Sequence, residues 1–235
     1  MQLITDETPE TLFPPADNAT EEGLVAVGGE ITVKRVLSAY RQGIFPWYSE
    51  DQPVLWWSPE PRAILFPGDI KISRSFKKTL RKKAFHISAD QAFADVIRAC
   101  AGPRIQSPTG GTWITDDMMK TYTRLHQLGY AHSIEVWCDE KLVGGLYGLA
   151  LGSAFFGESM YSHAADASKI ALVALTEFAI KNNIDFIDCQ LPTEHLSNMG
   201  AINISRKEYL LLLEKALYQD DRTENWSLEK KHVGI

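Results

Sequence analysis

The spacing of apolar positions changes along the chain and predicts helices and strands that follow one another through most of its length. Apolar residues at helical spacing predict helices at 33–42, 74–83, 90–101, 116–128, 168–181 and 205–217. Alternating or continuous apolar runs predict strands at 63–66, 85–88, 132–138, 142–149, 154–161 and 186–190. Short connections join the strands between 132 and 161, so we expect these strands to be antiparallel. The fold class that follows is α+β, with a mixed sheet.

The first 60 residues differ from the rest, because they are rich in proline, glycine and tryptophan and contain one short predicted helix. Thr32 is expected to cap that helix and Gly43 to end it. From Arg62 onward, helices and strands alternate. We therefore expect a small N-terminal α/β domain at 1–61, a larger domain at 62–218 and a loosely held polar C-terminal tail at 219–235.

The composition is that of an ordinary globular protein, since 45% of the 235 residues are apolar and 23% are charged. This excludes collagen-like, mucin-like and disordered chains. The formal charge of −6 argues against a nucleic-acid partner, but the charge is unevenly distributed. Residues 1–69 carry 4 basic and 11 acidic groups (−7), residues 70–104 carry 9 and 2 (+7), and residues 105–235 carry 11 and 17 (−6). A basic block is thus embedded in an acidic protein.

The sequence contains no segment typical of export or membrane insertion. Residues 1–10 lack a basic start followed by an apolar run, so no signal peptide is expected. The longest uncharged apolar stretch, 142–157, has 16 residues with five glycines and is too short for a spanning helix. Cys100, Cys138 and Cys189 are far apart and form no CxxC pair, which is typical of reduced thiols in a cytoplasmic protein. No metal-ligand spacing is present, and we expect neither a metal nor another cofactor.

The basic block predicts one helical stripe of positive charge. Between residues 70 and 84 there are seven cationic side chains and no acidic one. Four of them recur at i, i+3, i+4 and i+7: Arg74, Lys77, Lys78 and Arg81. Phe76 and Leu80 lie on the opposite face and would attach the helix to the body of the protein. An unpaired stripe of like charge favours an external anion such as a phosphate backbone, and a solvated charged face is the alternative.

Tryptophan side chains in loops are a second candidate feature. Trp47 and Trp113 stand beside prolines or glycines, where a flat ring can stack on a base. Filling the core of the small domain is the alternative, and for Trp56 and Trp57 it is the favoured interpretation.

Three polar residues on apolar strands are candidates for chemistry. Glu158 interrupts an apolar run, where burial of a carboxylate is costly unless it is paired. It could hold a cationic group, or lie at a strand end and face water. Asp188 and Gln190 close a strand and project to one side at period 2. They could orient an amine and a carbonyl, or Asp188 could cap a turn.

Taken together, these segments resemble the leucyl/phenylalanyl-tRNA–protein transferases, bacterial enzymes of the N-degron pathway. The resemblance extends from about residue 23 to residue 217. The matching stretches are GLVAVGG (23–29), GIFPWY (43–48), WWSPEPR (56–62), GTWI (111–114), AHSIEVW (131–137), LVGGLYG (142–148), FGESMYS (156–162) and DCQ (188–190). Two departures follow the last stretch, since Thr193 stands where the family often has asparagine and Asn198-Met-Gly200 stands for the usual Ser-Leu-Gly.

The resemblance implies transfer of Leu or Phe, and less readily Met, from aminoacyl-tRNA to proteins with an N-terminal Arg or Lys. It also implies a GNAT-like (acetyltransferase-like) larger domain and a cytoplasmic protein, which we expect to be a monomer. The implied tRNA-binding residues are Arg74, Lys77, Lys78, Arg81, Lys82 and Lys83. The residues implied to bind the aminoacyl-adenosine are Trp47, Trp113, Tyr122, Leu146, Phe155, Phe156, Met160 and Ser162.

Asp188, Gln190 and Glu158 match the catalytic positions of the family. An aminoacyl ester is already activated, so a covalent nucleophile is not required, and the acceptor amine must be deprotonated and held on the carbonyl. We expect Asp188 to orient and deprotonate that amine, directly or through Gln190, while Gln190 steadies the carbonyl. Glu158 would help to place the cationic side chain of the acceptor or this network.

Two other functions are compatible with parts of the sequence. A CoA-dependent N-acyltransferase would share the implied fold, but the pyrophosphate loop [RQ]xxGx[GA] is not found in this sequence. A non-catalytic RNA-binding module would explain the basic helix and the tryptophans, but not Glu158, Asp188 and Gln190.

Overall fold

A computed structural model of the chain describes residues 2–5, 7–81, 84–102 and 114–228. The smaller of its two sheets is built from β1 (Gln2–Ile4), β2 (Leu24–Gly28), β3 (Phe45–Pro46) and β4 (Leu55–Trp57). The strand order is β1-β2-β4-β3, with β1 parallel to β2 and β4 antiparallel to both of its neighbours. The sequence analysis predicted none of these strands, because they have two to five residues and are bounded by glycine or proline.

The larger sheet has seven strands among the described residues. They are β5 (Arg62–Leu65), β6 (His86–Ala89), β7 (Ala131–Cys138), β8 (Lys141–Leu151), β9 (Ala154–Ser162), β10 (Phe186–Gln190) and β11 (Ile202–Ile204). Their order is β11-β5-β10-β9-β8-β7-β6. β9 and β10 are parallel and all other pairs are antiparallel, which confirms the predicted mixed sheet.

The helices of the described residues agree closely with those predicted. They are α1 (Val33–Arg41), α2 (Arg74–Arg81), α3 (Phe93–Ala101), α4 (Asp116–Gln127), α5 (Ala167–Lys181), α6 (Glu194–Asn198) and α7 (Arg206–Ala216). Only α6 was not predicted. The hydroxyl oxygen of Thr32 accepts the Arg35 N–H at 3.2 Å, which confirms the predicted cap of α1. No described helix is both long enough and apolar enough to cross a bilayer.

Both faces of the larger sheet are covered. On one face, α2 and α5 pack over Leu146, Phe155 and Ile187. On the other face, α1, α3, α4, α7 and the smaller sheet form a single cluster with Tyr147 and Phe156. The two sheets therefore share one hydrophobic core, and the first helix of the chain contributes side chains to the centre of the molecule.

The C-terminal segment is docked as far as residue 228, so the expectation that it is loosely held was wrong for these residues. Trp226 is 8% exposed, and its ring lies 4.2 Å from the ring of His132 and 4.2 Å from that of Phe178. Its backbone N–H donates to Asp90 at 2.7 Å. One large aromatic side chain thus anchors a polar segment, because it buries a large apolar area at a single position.

Candidate active site

The larger sheet opens between its two parallel strands. The ladder between β9 and β10 ends at the pair of Phe156 and Asp188, and Glu158 and Gln190 lie just beyond this pair. Glu158 falls at a register shift between β8 and β9, and Gln190 follows a register shift between β10 and β5 with a φ of +63°. Irregularities of this kind redirect side chains and are common beside active sites. Both polar side chains are therefore placed where two strands separate.

A cavity of about 860 Å³ lies at this opening. Glu158 and Gln190 line it, together with the tip of the smaller sheet at Trp47. Three predicted pocket residues, Leu146, Phe155 and Met160, line it as well, as do Leu172 and Leu175 of α5. One cavity thus combines an apolar wall with a pair of hydrogen-bonding side chains, which is the usual composition of a small-molecule site.

Phe155 and Phe156 were predicted to share the pocket, but they lie on opposite faces of the sheet. Phe155 lines the cavity and belongs to the cluster under α5. Phe156 packs edge-on against Tyr40, with ring centroids 5.1 Å apart, in the cluster on the other face. The reason is the alternation of side chains along a strand.

Trp47 is 42% exposed at the edge of the cavity, where its ring could stack on a planar group. Its carbonyl oxygen accepts the indole N–H of Trp57 at 2.8 Å, and the two rings meet edge to face. Trp56 is fully buried and donates to the carbonyl of Gly28, as expected for a core residue. Trp113 lies outside the described residues.

Glu158 is buried and lies within hydrogen-bonding distance of three side chains. Tyr40 of α1 lies 2.5 Å from Oε1 and Tyr122 of α4 lies 3.0 Å from Oε2. The amide nitrogen of Gln190 donates to Oε1 at 3.1 Å. The predicted burial against partners is thereby confirmed, and the alternative of a glutamate that faces water is excluded. Tyr122, which was predicted near the adenosine, lies behind Glu158 instead of lining the cavity.

Burial raises the pKa of Glu158 to about 7, and the hydrogen bonds from its neighbours offset part of this effect. Burial likewise raises the pKa of Tyr40 and of Tyr122, so both phenols keep their protons at neutral pH. Glu158 is therefore the group of this cluster that changes its charge near neutrality.

Asp188 lies behind the cavity and is fully buried against a cation. Its two carboxylate oxygens accept from Arg62, at 2.9 Å from Nε and 2.7 Å from Nη2. Tyr209 of α7 donates to the same carboxylate at 2.8 Å. Such a bidentate pair fixes the orientation of the carboxylate.

Gln190 connects this ion pair to Glu158. Its backbone N–H donates to Oδ1 of Asp188 at 2.9 Å, while its side chain reaches Glu158. Asp188 thus contacts the backbone of Gln190 and is separated from the cavity by it. Of the two routes expected for Asp188, the arrangement favours action through Gln190.

The basic helix α2 adjoins the start of α5, which borders the same cavity. Phe76 and Leu80 are buried, and Arg74, Lys77, Lys78 and Arg81 are exposed, so the predicted division of its two faces is confirmed. Lys82 and Lys83 lie outside the described residues.

Polar contacts attach α2 to the start of α5. The hydroxyl of Thr79 donates to Asp166 at 3.0 Å, and Lys169 donates to the same carboxylate at 2.7 Å. Ser168, the residue before Lys169 in α5, lines the cavity. The exposed cations and the cavity therefore border the same helix terminus.

Ser162 and Thr193 also line the cavity, and local hydrogen bonds occupy their hydroxyl groups. Ser162 donates to the carbonyl of Ala164 at 2.7 Å. Thr193 accepts the N–H of Leu196 at 3.2 Å and so caps α6. Threonine thus serves here as an N-cap, a role for which asparagine is equally suited.

Three residues that hold the candidate catalytic groups were not predicted from the sequence. Tyr40, Arg62 and Tyr209 come from three separate elements, and each bonds to Glu158 or Asp188. Tyr40 and Tyr209 look like ordinary core aromatics of amphipathic helices. Of the three, Arg62 alone could have been noticed in the sequence, because it directly precedes the predicted strand at 63–66.

Comparisons with known proteins give a consistent result. The family model described as leucyl/phenylalanyl-tRNA protein transferase matches residues 64–214, and the model of its N-terminal domain matches residues 29–60. A leucyl/phenylalanyl-tRNA–protein transferase of Legionella pneumophila (strain Paris) is 55% identical over 217 residues, which is 92% of this chain and 96% of that protein. Those of Syntrophobacter fumaroxidans and Azoarcus sp. (strain BH72) are each 51% identical over 222 residues, 94% of both chains.

Proposed function

The chain belongs to the leucyl/phenylalanyl-tRNA–protein transferase family and is an aminoacyltransferase, and from this premise we propose its substrates and the roles of its residues. We propose that it moves Leu or Phe, and less readily Met, from aminoacyl-tRNA to proteins with an N-terminal Arg or Lys. The product would carry a new N-terminal residue that marks it for N-degron degradation. A monomeric protein of the cytoplasm with a GNAT-like domain from residue 62 is part of this proposal, and the separation of two parallel strands supports the fold assignment.

The observation that carries the proposal is the composition of the cavity. An apolar wall formed by Leu146, Phe155 and Met160 suits a leucyl or phenylalanyl side chain. The half-exposed ring of Trp47 stands at its edge, where a terminal adenine would stack. Glu158 and Gln190 border the same space and can contact amino groups. Apolar, stacking and hydrogen-bonding surfaces thus border one cavity, and an aminoacyl-adenosine has a part that suits each of them.

The exposed cations of α2 supply the rest of the tRNA contact. Lys77 and Lys78 do not take part in packing the helix against the protein, because the buried side chains of Phe76 and Leu80 do so. Contacts to phosphate release counterions and need no base-specific geometry. Because α2 adjoins the start of α5, a stem held on this helix can place its 3′ end at the cavity.

The reaction is aminolysis of an ester. The acceptor ammonium first gives one proton to solvent, and the neutral amine then attacks the ester carbonyl. A C–N bond forms, the bond from the carbonyl carbon to the ribose oxygen breaks, and a second proton of the amine ends on that oxygen. Proximity and orientation of the two bound reactants supply much of the rate in such a step.

Each polar residue has a separate part in this step. Gln190 contacts the attacking amine, Asp188 holds the backbone of Gln190, and Arg62 orients Asp188 through two hydrogen bonds. Glu158 fixes the amide group of Gln190.

Transfer of labelled Leu or Phe from charged tRNA to a peptide that begins with Arg tests the proposal. A peptide of the same sequence that begins with Met is the control. We expect label in the Arg peptide only, and its absence there would refute the proposal. Label delivered from acetyl-CoA, or RNA binding without transfer, would instead support one of the two other functions.

A further inference from the structure

Three oxygen-bearing side chains meet behind the cavity and form a closed triangle. The hydroxyl oxygens of Tyr40 and Tyr122 are 2.9 Å apart. Each also lies next to one oxygen of Glu158, Tyr40 at 2.5 Å from Oε1 and Tyr122 at 3.0 Å from Oε2. All three separations are those of O–H···O hydrogen bonds. Tyr40 and Tyr122 are fully buried and Glu158 is almost fully buried, so solvent does not reach the two phenol groups.

Counting hydrogens determines which charge state fits this triangle. Three contacts need three hydrogens, and the two phenols supply only two. With an ionised Glu158, the two phenol hydrogens can occupy only two of the three contacts, so one contact always contains no hydrogen. With a neutral acid protonated on Oε2, Glu158 donates to Tyr122, Tyr122 donates to Tyr40 and Tyr40 donates to Oε1. Every contact is then a hydrogen bond.

The third partner of Glu158 agrees with this assignment. Gln190 donates its amide N–H to Oε1, the oxygen that also accepts from Tyr40. The unprotonated oxygen of a carboxylic acid can accept two such bonds, and its protonated oxygen remains free to donate to Tyr122.

We propose that Glu158 is a neutral carboxylic acid in the free protein, and that Tyr40 and Tyr122 are positioning residues that hold its proton on Oε2. The neutral acid in turn orients Gln190, whose amide nitrogen is directed to Glu158 and whose carbonyl oxygen is thereby presented to the cavity. Gln190 then acts as an acceptor for a substrate N–H, which differs from the sequence-based expectation that it donates to the ester carbonyl.

The neutral state has a chemical consequence, and this consequence rests on the proposed function. An anion beside the acceptor amine would stabilise its ammonium form, which cannot attack an ester. A neutral acid, together with the carbonyl oxygen of Gln190, orients the amine without holding the extra proton on it. Ionisation of Glu158 is therefore expected to slow the transfer step.

The groups around Glu158 are those that its neighbouring elements present. They are Tyr40 from α1, Tyr122 from α4, and Gln190 and Asp188 from β10. Behind them, Tyr147 from β8 faces Tyr122 and Arg62 from β5 pairs with Asp188. The positive charge of Arg62 is matched by Asp188, to which it forms two hydrogen bonds. The pKa of Glu158, raised to about 7 by burial, is consistent with the proton that the triangle requires.

The first test detects the proton directly and needs no substrate. Glutamate labelled with ¹³C at the side-chain carboxyl carbon would be titrated by NMR in the wild-type protein, and the Glu158 signal would be assigned by its loss in Glu158→Gln. We expect the signal of a neutral acid near pH 6 and of a carboxylate only at higher pH. A carboxylate signal already near pH 6 would overturn the proposal, whether or not the protein transfers amino acids.

The second test replaces Glu158 with glutamine, whose amide group offers a donor and an acceptor as the neutral acid does. The amide group of Glu158→Gln can donate to Tyr122 and accept from Tyr40 and Gln190, whereas its charge cannot change. We expect the rate of Glu158→Gln relative to wild type to rise with pH, and to exceed that of Glu158→Ala throughout. Glu214→Gln, an exposed change on α7, is the matched control. A relative rate that does not change with pH, or a Glu158→Gln protein that does not fold, would contradict the proposal.

Removal of the phenol groups tests the closed arrangement. Tyr40→Phe and Tyr122→Phe each open the same ring of hydrogen bonds, so we expect the double variant to lose little more rate than either single variant. A double variant whose loss equals the product of the two single losses would show that the phenols act independently. If the wild-type protein transfers no amino acid at all, the proposed function fails and the NMR titration still decides the state of Glu158.

Discussion

The guanidinium group of Arg62 holds the carboxylate of Asp188 in two parallel hydrogen bonds, at 2.9 and 2.7 Å, and neither side chain is exposed to solvent. Arg62 itself lies between the rings of Phe45 and Tyr209. Although burial disfavours its charge, the neighbouring carboxylate raises the pKa of Arg62. Asp188 is therefore part of a structural ion pair as well as a neighbour of Gln190, and substitutions of it change the fold and the site together.

Asp188→Asn is expected to lower the free energy of unfolding by about 3–5 kcal/mol, because it leaves a buried guanidinium without a counter-ion. Denaturant unfolding at neutral pH measures this loss. Asp95→Asn is the matched control, since it removes an exposed carboxylate that pairs with Arg98 and should cost at most about 1 kcal/mol. An Asp188→Asn protein as stable as wild type would show that the pair does not hold this part of the fold.

The stability of the protein is expected to depend on the titration of Glu158. Since burial raises its pKa to about 7 in the folded chain, the folded state binds this proton more tightly than the unfolded state. This stabilisation is complete at a pH below the pKa of Glu158 in the unfolded state. It is lost as the pH rises through the pKa of Glu158 in the folded state. Between about pH 5 and about pH 8, the free energy of unfolding of wild type should fall by about 2–3 kcal/mol relative to that of Glu158→Gln. Thermal or denaturant unfolding of both proteins measures the difference, and a difference that stays constant with pH would contradict the assignment.

Reversal of the charges on the basic helix should weaken tRNA binding and leave the fold intact. The triple change of Lys77, Lys78 and Arg81 to Glu removes three exposed cations. If each of the three cations contacts a phosphate, the slope of log K against the logarithm of the salt concentration should become shallower by roughly 2–3. Filter binding at several salt concentrations measures the slope. The same change at Lys34, Lys120 and Lys207, which are also exposed, should leave the slope near that of wild type, and an equal loss in both triple variants would rule out a specific patch.

Two adjacent phenylalanines offer a matched pair for amino-acid selection. Phe155→Leu enlarges the cavity, so it should shift the ratio of Leu to Phe transfer by about 10-fold or more, the effect of a small change of shape in an apolar pocket. Phe156→Leu makes the same chemical change on the opposite face and should lower stability with little effect on the ratio. Competition between Leu-tRNA and Phe-tRNA measures both ratios. Equal ratios in the two variants would place the side-chain pocket elsewhere.

The local pattern of the chain was sufficient to predict most elements of the larger sheet and the helices that cover it. The basic helix is the clearest example, because an amphipathic pattern of eight residues determines both its exposed and its buried face. The small strands of the first 60 residues were missed, because their pairing depends on contacts between distant segments. Trp226 was missed for the same reason, as nothing in its polar neighbourhood indicates the aromatic rings on which it stacks.

The candidate site was predictable as a set of residues but not as an arrangement. The sequence indicated Glu158, Asp188 and Gln190, because polar residues on apolar strands require partners. It did not indicate that two register shifts and a left-handed Gln190 separate their roles, so that Asp188 faces Arg62 while Gln190 faces Glu158. Register shifts arise from the pairing of whole strands, and no local pattern specifies them.

The most direct test of the account is the mass of a peptide that begins with Arg after incubation with the protein and Leu-tRNA. We expect a product that is heavier by one leucine residue at its N-terminus and that forms only when charged tRNA is present. A Met-starting peptide should stay unchanged under the same conditions. An unmodified Arg peptide, with a folded protein that binds the tRNA, would contradict the central claim.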